Sequence, residues 1–101
     1  MIRGTTPTHI FSIPIDSTLI SKIRVTYEQN GTNIITKDYS GADVSGGSLY
    51  VKLTQDETLL FSSYNTAKVQ LRVLTTEGDA MASNVIVMQP ERLLDDQGVL
   101  E

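Results

Sequence analysis

The sequence predicts an all-β fold: an immunoglobulin-like antiparallel β-sandwich of about seven strands with one short helical turn. Two observations carry this prediction. Apolar and polar residues alternate in several segments, as in strands with one buried face, and glycine-containing turns separate these segments. The 101 residues are 40% hydrophobic, which is typical of one globular domain. We expect a β-sandwich domain over residues 1–89 and an acidic C-terminal tail over residues 90–101.

The alternation is clearest in residues 22–28, 48–54 and 68–73. In residues 22–28 the odd positions are apolar and the even positions are charged or polar. Such a segment is a half-buried strand, and β-branched and aromatic residues are enriched in all three segments. Another strand is predicted over residues 9–15. Because Pro14 lacks a backbone N–H, we expect that strand at a sheet edge.

Turn sequences connect the predicted strands. Asn30-Gly31 favours a type I′ hairpin turn, since both residues tolerate positive φ. Gly46-Gly47 and Glu77-Gly78-Asp79 also predict turns between antiparallel neighbours. The last of these precedes a final strand over residues 81–88.

One segment departs from the alternation. Thr54 and Glu57 have the spacing of a capping box, in which the threonine oxygen accepts a hydrogen bond from the third N–H of the helix and the glutamate reaches back to the threonine N–H. Apolar residues follow over 59–61. We therefore expect a helical turn over about residues 55–62, crossing between strands of the two sheets.

The composition argues against catalysis. The chain has no cysteine, which excludes disulfides, thiolate metal sites and a cysteine nucleophile. His9 is the only histidine, and no Gly-x-Ser-x-Gly motif accompanies it. The carboxylate pairs Asp56-Glu57 and Asp95-Asp96 are sequence neighbours, which normally point apart. We predict a protein that is not an enzyme and has no catalytic residue, cofactor or metal site.

The charge of the chain is concentrated at its C-terminus. Four acidic residues and one arginine give residues 90–101 a charge of −3, out of −4 for the chain. No basic stripe is visible, so we expect no nucleic-acid partner. No segment has the apolar length of a signal peptide or a membrane span, so we expect a soluble protein made in a cytoplasm, without a membrane partner.

Five apolar side chains are predicted to contact a partner. Tyr50 is opposite in phase to its apolar strand neighbours and should face outward, against a neighbouring strand or a partner. In the tail, Leu93, Leu94, Val99 and Leu100 are apolar despite the acidic surroundings. Docking on a neighbouring subunit or on the chain's own domain would explain them; a frayed terminus is the alternative.

Three segments carry a resemblance to a known family: residues 3–9 (RGTTPTH), 51–61 (VKLTQDETLLF) and 70–80 (QLRVLTTEGDA). Together they resemble a family of small proteins encoded in phages and prophages of gut Firmicutes, over nearly the whole chain. The resemblance implies a structural or accessory protein of the virion, in its tail or head region, made in the bacterial cytoplasm. It would be a non-catalytic protein-interaction module that binds other virion proteins and forms a homo-oligomer. The alternative is a carbohydrate-binding or host-surface-binding β-sandwich domain.

Overall fold

A computed structural model describes all residues from 1 to 101, and most of the regular structure is β-strand. One α-helix and two short 3-10 helices, Ser17–Leu19 and Tyr39–Gly41, interrupt the strands. No helix has the length and apolar character needed to cross a membrane. The strands and the α-helix are β1 (Thr8–Ser12), β2 (Ile20–Gln29), β3 (Thr32–Asp38), β4 (Asp43–Ser45), β5 (Ser48–Lys52), α1 (Gln55–Leu59), β6 (Ala67–Thr75), β7 (Ala80–Ala82) and β8 (Ile86–Met88).

The strands form two antiparallel sheets. The smaller has the order β1-β5-β4, and the larger has the order β3-β2-β6, with β7 and β8 both paired to β6. Both sheets contribute to a core cluster of 15 buried residues. The predicted all-β, antiparallel, sandwich-like fold is thus confirmed. Its strand order has one distinctive feature: β2 pairs with β3 and β6, whereas in a constant-type immunoglobulin domain the second strand joins the first and fifth.

The predicted strand phases are confirmed in the two central strands of the larger sheet. From Ile23 to Gln29 in β2, and from Ala67 to Leu74 in β6, the odd-numbered side chains are buried and the even-numbered ones are exposed or half-buried. A bulge between Ile20 and Lys22 separates this phase from the start of β2. Burying one large aliphatic side chain contributes about 1.5–3 kcal/mol, so the aligned apolar faces of β2 and β6 supply much of the driving force for folding.

The predicted hairpin turn and capping box are both present. Asn30 and Gly31 have φ values of 55° and 77°, the positive pair that a type I′ turn requires. Thr54 Oγ1 accepts a hydrogen bond from the Glu57 N–H at 3.2 Å, and Glu57 Oε1 accepts one from the Thr54 N–H at 2.9 Å. The helix is shorter than predicted because its last turn tightens, with the Phe61 N–H bonded to the carbonyl three residues earlier, and this brings Phe61 into the core.

The single final strand predicted over residues 81–88 is divided in two. β7 pairs with Arg72–Leu74 and β8 pairs with Ala67–Val69, at opposite ends of β6. Between them, the Ser83 N–H donates to the Leu71 carbonyl at 2.8 Å, while Ser83 Oγ accepts from the Leu71 N–H at 3.0 Å. The serine hydroxyl thus replaces the backbone carbonyl that a continuous strand would offer.

The C-terminal segment lies against the N-terminal residues and α1 of its own chain. Ile2 forms a parallel bridge with Glu91, and Arg3 pairs with Asp96 at 2.6 Å. The Gln55 side chain exchanges two hydrogen bonds with the backbone of Leu100, at 2.8 and 3.1 Å. In this structure the tail is therefore docked on its own domain.

Candidate functional site

The outer edge of the larger sheet is formed by β7 and β8, which lie end to end along β6. Each pairs with β6 on one side and with no strand on the other. A sheet edge of this kind presents backbone N–H and C=O groups that are free to pair with another strand. The two strands therefore form a surface that can accept a further polypeptide segment.

The composition of this edge is unusual for an exposed segment. Residues 80–90 contain no charged side chain, between Asp79 and Glu91. Natural edge strands are commonly protected by lysine, proline or inward-pointing charges, and none of these lies within β7 or β8. Four large apolar side chains are exposed along the edge: Met81, Val85, Ile86 and Val87.

The other sheet edges have the protection that this one lacks. β1 is flanked by Pro7 and Pro14, which cannot donate to a neighbouring strand. β3 ends in the charged residues Lys37 and Asp38. β4 has only three residues, and short edge strands offer little length for pairing. The edge of β7 and β8, here called the β7–β8 edge, is thus the most favourable place for strand addition.

The predicted contact residues lie on other elements. Tyr50 faces outward from the smaller sheet, 38% exposed, as predicted, and is paired with Ile10 and Asp43 on its two neighbouring strands. Leu93 is half-buried next to Gly4, where its Cδ2 would lie 2.7 Å from an added Cβ. This side chain thus packs against its own domain. The other predicted tail residues, Leu94, Val99 and Leu100, are exposed.

His9 occupies a structural position between the sheets. Its Nδ1 lies 2.7 Å from the buried Tyr27 Oη. Burial, followed by the charge of the N-terminal ammonium, lowers the pKa of His9. Burial, followed by the charge of Glu57, raises the pKa of Tyr27. The two side chains therefore form a hydrogen bond between neutral groups at neutral pH.

The carboxylates are engaged in local structure. Glu57 caps α1 and pairs with Lys37 of β3 at 2.6 Å. Burial alone would raise the pKa of Glu57, but the hydrogen bond from Lys37, the one from the Thr54 N–H and the Lys37 charge together lower it. Asp96 pairs with Arg3, which also donates to the carbonyls of Leu59 and Phe61. No three histidine, aspartate or glutamate side chains lie together as a metal centre would require.

No protein-family model matches the chain, and no curated protein or solved structure is significantly similar to it.

Proposed function

We propose that the protein is a non-catalytic structural module that binds other protein chains, including copies of itself, through the β7–β8 edge. The observation that carries this proposal is the uncharged stretch of residues 80–90 along an unpaired sheet edge. Leaving such an edge bare exposes both apolar side chains and backbone hydrogen-bonding groups. A partner strand would cover both at once.

Strand addition is the binding mode that fits this edge. The partner's backbone would pair with the free side of β7 and β8, and its side chains would pack beside Met81, Ile86 and Val87. If the partner is a second copy, the two edges can meet antiparallel about a twofold axis, so that one surface contacts itself. The two larger sheets would then form one continuous sheet.

A virion is the setting that we propose for this module. Support comes from the resemblance of residues 3–9, 51–61 and 70–80 to proteins of phages and prophages. Virions are built from repeated symmetric contacts between small subunits, and a chain with a self-complementary edge is suited to such contacts. The alternative of carbohydrate binding has less support, because the exposed tyrosines, Tyr39, Tyr50 and Tyr64, lie on separate segments and no two of their rings are in contact to form a shared platform.

A charge placed on the edge tests the proposal. Val87→Lys introduces an ammonium group at a position that is 60% exposed. Lys68 lies directly opposite on β6, so repulsion between the two lysines should lower the stability of the folded monomer by at most about 1 kcal/mol. Ile10→Lys is the matched control, since Ile10 is 63% exposed on the proline-flanked strand β1. Sedimentation velocity over a range of concentrations should show association of the wild type and of Ile10→Lys, and clearly weaker association of Val87→Lys.

The same measurement can contradict the proposal in two ways. If the wild-type protein remains monomeric at every concentration, the edge does not mediate self-association. Equal association of wild type and Val87→Lys would place the contact elsewhere on the molecule. Circular dichroism of both variants confirms that each one is folded before the comparison is made.

A further inference from the structure

A cationic cleft lies on the outer face of the larger sheet, away from its buried face. It has a volume of about 590 Å³ and lies between β2, β6, β7 and the 3-10 helix Tyr39–Gly41. Three cationic side chains, Lys22, Arg24 and Arg72, line it, with Asp38 as the only carboxylate. The lining therefore carries a net positive charge, although the chain as a whole is acidic.

The two arginines have no anionic partner within the chain. Arg24 and Arg72 are directly opposite each other on β2 and β6, and neither belongs to an ion pair. Like charges in this relationship repel each other and destabilise a sheet. The Asp38 carboxylate is bonded to its own turn: it accepts hydrogen bonds from the Ser40 hydroxyl at 2.6 Å and from the Ser40 N–H at 3.0 Å. These two hydrogen bonds lower the pKa of Asp38. An external anion would relieve the repulsion.

Apolar side chains also line the cleft and can pack against apolar groups of a bound ligand. Leu74, Ala80 and Met81 line the side nearest β7. Guanidinium groups bind carboxylates in a planar, two-pronged geometry, and two adjacent arginines can hold more than one acidic side chain. The cleft is therefore complementary to a polypeptide segment in which carboxylates alternate with aliphatic side chains.

We propose that this cleft binds the acidic C-terminal segment, residues 91–101, of a second copy of the chain. That segment combines a charge of −3 with aliphatic side chains that its own domain leaves open, since Leu94 is 91% and Leu100 is 80% exposed. Within one chain, Arg3 and Gln55 hold it against the N-terminal residues and α1. None of these elements lines the cleft.

This contact joins two different surfaces and is separate from the β7–β8 edge. A surface that meets a different surface on the next copy produces rings or open filaments, whereas a self-complementary edge produces pairs. The two contacts together would extend pairs of subunits into a larger assembly. Met81 borders both surfaces, but Arg24 and Arg72 belong only to the cleft and Val87 only to the edge, so substitutions at these residues test the two contacts separately.

A labelled peptide tests the inference. Fluorescence anisotropy would follow binding of a synthetic peptide with the sequence of residues 90–101 to the full-length protein. We expect Arg24→Gln combined with Arg72→Gln to weaken binding about tenfold, as the loss of two charge pairs predicts. Lys52→Gln on the smaller sheet, which removes one cation away from the cleft, is the control for Arg72→Gln alone and should bind as the wild type does. Val87→Lys should also bind normally, which separates this contact from the proposed edge.

Removal of one arginine should also change the thermal stability of the folded protein. Because Arg24 and Arg72 repel each other, Arg72→Gln alone is expected to raise the melting temperature while it weakens binding. Lower affinity in a more stable protein cannot result from misfolding. The inference would be overturned if wild type did not bind the peptide, if the double variant bound as tightly as wild type, or if a single-stranded oligonucleotide displaced the peptide as efficiently as unlabelled peptide does.

Discussion

The hydrogen bond between His9 Nδ1 and Tyr27 Oη, 2.7 Å long, joins the two sheets of the sandwich through their facing sides. Tyr27 is fully buried, and its ring meets Phe61 edge-on with the ring centroids 6.1 Å apart. A buried phenol needs a hydrogen-bond partner, because an unsatisfied hydroxyl in the core costs about 1–3 kcal/mol. The only histidine of the chain satisfies that requirement and thereby helps to fix the position of β1.

The His9 contact predicts a pH dependence of stability. Since the pKa of folded His9 is below its ordinary value of 6.5, the unfolded chain binds a proton first as the pH falls. Stability should therefore be constant well above pH 6.5 and should decrease as the pH drops below it. Urea unfolding between neutral and mildly acidic pH would measure this slope. His9→Asn, which retains an acceptor near Tyr27, should remove most of it, whereas a slope unchanged in His9→Asn would contradict the assignment.

Adjacent positions on β6 should differ strongly in how far a new charge lowers stability. Leu71 is buried in the core, so Leu71→Asp would place a carboxylate among apolar side chains and is expected to unfold the protein. Gln70 is on the other face of the same strand and is half-buried, so Gln70→Asp should lower the melting temperature only slightly. Thermal melting followed by circular dichroism compares the two variants. Similar melting curves would contradict the phase of β6.

Gln29 should be among the most sensitive polar residues. Its buried amide donates to the carbonyls of Ser62 and Asn65, both at 2.8 Å, and accepts from the Ser62 N–H at 2.7 Å. Gln29→Leu would leave these backbone groups without a partner, at a cost of about 2 kcal/mol or more. Gln70→Leu is the control, because that side chain makes one such hydrogen bond. Equal losses in the free energy of unfolding would contradict the account of Gln29.

The ion pair between Lys37 and Glu57 should stabilise the crossing between the sheets. It joins β3 to the first turn of α1, and both side chains are partly buried. Lys37→Met is expected to lower the free energy of unfolding by about 0.5–1 kcal/mol. Lys52→Met, which removes an unpaired surface lysine, should have almost no effect. A double-mutant cycle with Glu57→Gln would detect the coupling, and additive effects of the two substitutions would argue against it.

Much of the fold was predictable because it is encoded locally. The alternation around Val25 and Leu71 depends only on the period of a strand with one buried face. The Asn30-Gly31 turn and the Thr54 capping box depend on residue types that satisfy a specific backbone geometry. In each case the neighbouring residues contain all the information that the local structure needs.

The two proposed interaction surfaces were not predictable because they depend on strand order and register. Nothing near Val87 in the sequence indicates that its strand lies at an edge, and the break at Ser83 arises from a hydroxyl group replacing a backbone acceptor. Arg24 and Arg72 are far apart in the sequence, and only the pairing of β2 with β6 places them side by side. The partner contacts predicted from exposure and phase, such as Tyr50, stay predictions, and the residues of the apolar edge are not among them.

Hydrogen exchange measured at low and high protein concentration tests the central proposal most directly. If the β7–β8 edge binds a second copy, backbone amides within residues 80–88 should exchange more slowly at high concentration, because they gain hydrogen bonds across the interface. Amides of β1 should be unchanged, and Val87→Lys should abolish the effect. Exchange in residues 80–88 that is independent of concentration in an associated protein, or new protection that appears in β1 instead, would contradict the proposal.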